Sequence, residues 1–225
     1  MSLTVACLFI RGEYPYTVEY VQRLREGVAR HLSRPFRFVC LTDRPHEMPA
    51  GVEAIAVERI PSCYAFWTRL RMFDASLGWA GRVLALDLDT LIVGSLDPIV
   101  DYPAPFVCAG DSLAPSLESP PVCGTKGGKT WRPRVQGSVI AWDAGAVNAL
   151  WTLWTPAIAA QFYTDQDWIG ELYPDVPVLP VSWFPRVSQV QWPLPAEAKV
   201  LLVKKPKNVL AADRWPWFNA LWRAA

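Results

Sequence analysis

The chain has no CxxC pair, no apolar run of membrane-spanning length and almost no net charge. Its five cysteines are odd in number and scattered, which fits the reduced thiols of a cytoplasmic protein better than disulfides or a zinc site. Residues 3–10, the longest apolar stretch near the N-terminus, are too few to cross a bilayer. They also lack the charged start and small-residue cleavage site of a signal peptide. A net charge of +1 provides no global field to recruit nucleic acid or an anionic membrane. Histidine is scarce: His31 closes an amphipathic helix and His46 stands in a proline-rich turn. Lysine is missing from the first 125 residues, and all six follow, so local positive charge is concentrated in the second half. No internal repeat or low-complexity tract is present.

What the chain does have is apolar mass. Hydrophobic residues make up 52% of its 225 positions, enough for one domain with a substantial core. Most of its twelve tryptophans belong to packing, with a few available to stack on sugar rings or bases near a cleft.

The most informative run is residues 82–97. Val83 to Leu86 are continuously apolar, as in a strand buried on both faces of a largely parallel sheet. Asp87 and Asp89 follow at i, i+2. On a strand that spacing puts both carboxylates on one side, with Leu88 turned into the core. Two such acids repel unless a cation separates them, and a hard divalent ion, Mg²⁺ or Mn²⁺, suits them. The carboxyl ends of strands are also where open α/β sheets bind ligands.

Along the chain, residues 3–10, 36–41 and 52–57 read as strands. Residues 16–32 read as an amphipathic helix with Val18, Val21, Leu24, Val28 and Leu32 on one face. Residues 64–77 read as helical, anchored by Trp67, Leu70 and Phe73. The alternation implies a mixed, mainly parallel sheet flanked by helices. Residues 111–134 form a long polar segment of the kind that is functional or disordered. Its Gly124-Thr125-Lys126-Gly127-Gly128-Lys129 lacks the spacing of a phosphate-binding P-loop. A strand at 137–142, a helix at 144–161 interrupted by Pro156, a helix opening at Asp165, extended chain at 174–206 and a docking helix at 212–225 complete the reading.

Five pieces, in order, resemble the GT-A glycosyltransferases of the family 8 type and their small bacterial relatives. They are Trp67-Thr68-Arg69-Leu70, the run 84–96 with its Asp87-x-Asp89, Gln136-Gly137-Ser138, Asp165-Gln166-Asp167, and Lys204-Lys205-Pro206-Lys207. The resemblance implies a single GT-A-like domain, with a nucleotide-binding half at 1–100 and a sugar and acceptor half at 101–225. It implies a hexosyltransferase-like enzyme that uses a nucleotide-diphospho-sugar, UDP-linked by preference, and an acceptor that is a glycan, lipid or protein. Asp87 and Asp89 would hold the metal. Lys204 and Lys205 would meet the diphosphate, and Gln136, Ser138 and Asp165 would face sugar hydroxyls. Gln166 would sit near the anomeric centre, orienting rather than attacking. Asp167 would serve as a base or cap the helix, and Arg69 would pair with the acids or reach the phosphates. Two departures stand out. Val203 occupies the place where the family carries a metal-binding histidine, and the first strand runs into Phe9-Ile10-Arg11-Gly12 without an acid. Two other readings share these motifs: a sugar- or nucleotide-binding protein without turnover, and a dehalogenase-type phosphatase. In the phosphatase, Thr90 would come one place too early and Asp111 too soon.

Overall fold

The computed structural model describes residues 2–12, 14–111, 124–131, 134–203 and 216–224. The first half builds β1 (Leu3–Phe9), α1 (Val18–His31), β2 (Arg37–Thr42), β3 (Glu53–Ala56), β4 (Arg82–Leu86), β5 (Thr90–Ile92), α2 (Asp97–Val100) and β6 (Phe106–Gly110). The second half builds a hairpin of β7 (Gly124–Lys126) and β8 (Lys129–Trp131), then β9 (Val135–Asp143), α3 (Ala149–Thr152), α4 (Pro156–Gln161), α5 (Asp165–Leu172), β10 (Val178–Leu179), β11 (Val200–Leu202) and α6 (Pro216–Ala224). Seven strands form the central sheet in the order β10-β6-β9-β4-β1-β2-β3. β1 pairs in parallel with β2 and β4, and β2 with β3, while β9 runs antiparallel to both β4 and β6.

The strand alternation assigns the two faces. Leu84 and Leu86, with Val5, Cys7 and Phe9, pack under α1 through Tyr20, Val21, Leu24 and Val28. Val83 and Ala85, with Ala6 and Val39, pack on the other face against Trp67, Leu70, Phe73 and Trp168. β4 is buried along its whole length, as the apolar run 83–86 requires of a central strand covered on both faces. A third apolar cluster joins Leu91, Leu201, Val203 and Phe218, so α6 docks on the β5–β11 ribbon.

Several sequence expectations need correction. Residues 64–77 are not an α-helix: they form 3₁₀ turns at Ala65–Phe73 and Ala75–Leu77. The expected helix at 144–161 divides into α3 and α4, because Pro156 can begin a helix but cannot continue one. The Gly127-Gly128 pair is a hairpin turn with φ of 57° and 76°, the doubly left-handed geometry that tight hairpins favour. No described helix is long and apolar enough to cross a membrane.

Candidate functional site at the end of β4

Because β9 runs against β4, the start of β9 lies beside the end of β4, with Val139 opposite Leu86. The pairing of β9 with β6 skips here: Cys108 faces Ile140, but Ala109 faces Gln136. Gly137 to Val139 therefore step out of that ladder, an irregularity of the bulge kind that frees backbone groups. Ser138 O accepts from Asp87 N at 3.0 Å, and Gly137 O is left for a side chain.

That side chain is Arg69. Its Nη1 donates to Gly137 O at 2.7 Å and to Asp87 Oδ1 at 2.8 Å, and its Nε donates to Asp165 Oδ2 at 2.7 Å. One guanidinium thus joins the 3₁₀ segment, the Asp-x-Asp turn, β9 and the first residue of α5. A Cβ on Gly137 would overlap the guanidinium, so the close approach needs glycine here. Of the two roles open to Arg69, pairing with the acids is the one observed. Burial works against its charge, and Asp165 and Asp87 overcome that, holding the guanidinium above its ordinary value. Asp165 is fully buried, and burial pushes its carboxyl up against the pull of Arg69. Its Oδ1 is buried without a hydrogen-bond partner among the described residues.

The two acids of the Asp-x-Asp do not lie on a strand. β4 ends at Leu86, and Thr90 closes a turn by donating N and Oγ1 to Asp87 O at 3.3 and 2.7 Å. Leu88 is buried, as expected, but the acids differ: Asp87 remains half-exposed and Asp89 is buried. Burial, followed by repulsion from Asp87, pushes Asp89 up to about 7, while a hydrogen bond from Tyr16 opposes the rise. Tyr16 was not singled out from the sequence. The available signal was its place in the first β–α loop, beside the carboxyl ends of the strands where ligands bind.

Gln136 and Ser138 alternate with buried Val135, Gly137 and Val139 and are half-exposed at the same end of the sheet. Gln166 lies in the first turn of α5 and is also half-exposed. Asp167 is the helix cap: its Oδ2 accepts from Thr164 N and Oγ1, both at 2.7 Å, and it is almost wholly buried. Lys204 and Lys205 lie outside the described residues. Val203 is buried in the third apolar cluster. β11 pairs Leu202 with Thr90 and Leu201 with Leu91, so Val203 follows the last pair, next to the turn that carries Asp89.

Among the described residues, no group of three or more His, Cys, Asp or Glu is arranged to hold a metal. The Asp87–Asp89 pair still fits a hard cation of the kind that takes one or two carboxylates and completes its shell with phosphate and water. The repulsion that raises Asp89 is the electrostatic demand such an ion meets.

No protein-family model matches the chain, and no curated protein matches it by sequence. Solved structures do. The galactosyltransferase LgtC, in complex with donor and acceptor sugar analogs, superposes with a TM-score of 0.65 at 14% identity, over 98% of this chain and 95% of LgtC. An active-site glutamine-to-glutamate variant of LgtC gives 0.67 at 14% identity, over the same shares of the two chains. The apo-form glycosyltransferase GlyE of Streptococcus pneumoniae TIGR4 gives 0.61 at 14% identity, over 99% of this chain but 60% of GlyE. The mixed, mainly parallel sheet flanked by helices is therefore a GT-A-like fold, shared with glycosyltransferases nearly end to end in LgtC.

Proposed function

We propose that this protein is a glycosyltransferase that takes a sugar from a nucleotide diphosphate, UDP by preference, and passes it to a glycan, lipid or protein acceptor. The observation that carries the reading is the Arg69 guanidinium. It draws together Asp87, Gly137 and Asp165, from three separate motifs, at the carboxyl end of a central strand in a glycosyltransferase-like fold. A structural ion pair alone would not require a second acid, Asp89, to be buried beside the first.

Asp87 and Asp89 would hold Mn²⁺ or Mg²⁺. When bound, the ion supplies neutralisation of the charge that develops on the departing diphosphate. Lys204 and Lys205 would add point charges toward the same phosphates. Gln136 and Ser138, both half-exposed, would be the polar contacts to hydroxyls of the donor sugar, while Asp165, wholly buried, would support them through its pairing with Arg69. Gln166, one residue on, would present its amide to the reacting carbon. An amide is a poor nucleophile, so its role is to orient and stabilise. Arg69 would position Asp87 and Asp165 rather than touch substrate, and Asp167 would hold the start of α5.

A thermal-shift panel of nucleoside diphosphates and nucleotide sugars, with and without Mn²⁺, tests this reading. A donor that binds raises the melting temperature by mass action. The expected result is a metal-dependent shift with UDP or a UDP-sugar and slow metal-dependent hydrolysis of the sugar donor. Binding without turnover would favour the non-catalytic binder, and phosphomonoesterase activity the phosphatase. No shift with any nucleotide would overturn the proposal.

A further inference from the structure

A circuit of backbone pairings runs around the candidate site. Thr90 N donates to Asp87 O, Thr90 pairs with Leu202, and Leu202 forms a parallel bridge with Arg186. On the other side, Asp87 N donates to Ser138 O, β9 leads from Ser138 back to Val135, and Asp111 N donates to Arg134 O at 3.2 Å. That last bond extends the β6–β9 ladder by one pair beyond Gly110 with Val135. Half-exposed Gln136 and Ser138 stand on the β9 arc. One side-chain contact closes the circuit: Arg186 Nη2 lies 3.5 Å from both carboxylate oxygens of Asp111.

This contact lacks the form of the protein's structural pairs. Arg34 meets Asp101 through two nitrogens at 2.7 and 2.6 Å, and buried Arg69 holds its two acids at 2.7 and 2.8 Å. Arg186 gives Asp111 one nitrogen at 3.5 Å, longer than a charge-assisted hydrogen bond. Yet only 19% of the Arg186 side chain and 10% of that of Asp111 is exposed. Nε and Nη1 of Arg186 meet no partner among the described residues. Arg134, across the ladder from Asp111, has its Nε buried and likewise without a partner among the described residues. Cross-strand partners carry their side chains on one face, so two guanidinium groups stand beside a single carboxylate. Sheltered donors without acceptors are costly, and a second anion is what would satisfy them.

We infer that Arg186 and Arg134 form a subsite for an anionic group, carboxylate or phosphate, of the acceptor, which makes that acceptor an acidic saccharide. This rests on the glycosyltransferase reading. A carboxylate or phosphate matches the planar fork that Arg186 leaves open. The donor's own diphosphate is set aside by position. Asp87 and Asp89 would hold it through a cation at the end of β4, whereas Asp111 and Arg134 stand at the end of β6. β9 separates those two strands, so the two anion positions lie about 10 Å apart, at about 4.8 Å per strand. Gln136, on β9 opposite Ala109, lies next to the subsite and is available to saccharide hydroxyls. A nucleic acid or acidic peptide needs a wider basic field than two arginines in a chain of net charge +1.

Saturation-transfer NMR and calorimetry with glucose, glucuronate and glucose 6-phosphate, with and without Mn²⁺ and UDP, test this on the full chain. At least one acidic sugar should bind about tenfold more tightly than glucose, and which of the two does so separates carboxylate from phosphate. Arg186→Gln should weaken that binding about tenfold, and Arg186→Lys less, because lysine keeps the charge but not the fork. Arg134→Gln should weaken it as well. Arg37→Gln, which removes an exposed arginine paired with Glu53 at the start of β2, is the control and should bind as wild type does. Melting temperatures establish that each variant is folded. Acidic sugars that bind no better than glucose, or that bind Arg186→Gln as tightly as wild type, would overturn the subsite. A loss of Mn²⁺–UDP affinity in Arg186→Gln as large as its loss of acidic sugar would assign the arginine to the donor and overturn it too. Wild-type nucleotide binding is measured separately. If it is absent while acidic-sugar binding depends on Arg186, the transferase reading falls and the anion subsite stands.

Discussion

At the scale of single residues, Arg69 and Asp89 are under opposite electrostatic conditions. Arg69 is buried but fully engaged, with two carboxylates and a carbonyl around one guanidinium. Arg69→Ala would leave Asp165 buried beside an empty space, and breaking a buried pair in this way costs about 3–5 kcal/mol. Arg69→Lys would keep the charge but lose the fork that spans both acids. Denaturant unfolding should therefore rank wild type above Arg69→Lys, and Arg69→Lys above Arg69→Ala. Asp89 is the reverse case, a buried acid pressed by a neighbouring one. Its carboxyl titrates at about 7 when folded, against about 3.9 for an aspartate in an unfolded chain. Between these values the folded state holds a proton that the unfolded state has released. Stability of the ligand-free protein therefore falls as pH rises through that window, and the penalty is complete above it. Melting temperatures at pH 5 and pH 8 should drop more steeply for wild type than for Asp89→Asn, which has no charge to bury. Equal slopes would show that Asp89 is not stressed.

At the scale of elements, the site depends on where α5 begins. Asp165 and Gln166 occupy its first turn, and Asp167 secures that turn by accepting two hydrogen bonds from Thr164. Asp167→Ala would leave the Thr164 N–H and hydroxyl without this acceptor and destabilise the protein by about 1–2 kcal/mol. It should also lower turnover of a sugar donor more than it weakens binding of the nucleotide alone, if α5 carries the sugar contacts proposed for it. A parallel loss of both would mean that α5 does not separate sugar from nucleotide recognition. The β7–β8 hairpin is tied to the same region. Tyr163 N donates to Thr130 O at 2.9 Å and Lys126 lies 4.5 Å from the Tyr163 ring, so the hairpin and the approach to α5 are coupled through one residue.

At the scale of the whole molecule, metal and donor should bind as one unit. Two carboxylates from the protein leave most of a cation's shell to phosphate and water, so Mn²⁺ alone should bind weakly. Each partner should then tighten the other by the same factor. Val203, the residue after the last β5–β11 pair, Leu202 with Thr90, offers a direct test. Val203→His should raise Mn²⁺ affinity in the absence of nucleotide, and the gain should vanish below about pH 6.5, where imidazole protonates. Calorimetric titration of Mn²⁺ into both proteins reads this. Tight binding by the wild type alone would mean that some other group already completes the shell.

The chain's own pattern determined the layers of this fold and pointed to the candidate site. The uninterrupted apolar residues 83–86 required a strand covered on both faces, and the 3.6-residue spacing from Val18 to Val28 required α1 on one of them. Both hold, because hydrophobic periodicity is local and burial follows from it directly. The order of the motifs was also enough to nominate Arg69, Asp87 and Asp165 as neighbours in function, though not to say which atoms meet. The tertiary structure decided that. Only the antiparallel course of β9, with its pairing skipped between Cys108 and Ala109, brings Gly137 O against a side chain 68 residues earlier. Only the turn closed by Thr90 separates a half-exposed Asp87 from a buried Asp89, a difference that i, i+2 spacing on a strand would have erased. Of the two roles left open for Asp167, the cap is the one its hydrogen bonds from Thr164 display, because a helix start buried this deeply needs its donors satisfied. Tyr16 was invisible because it is one tyrosine in a loop, and its significance comes from Asp89 across space from it, on which neighbouring sequence places no constraint.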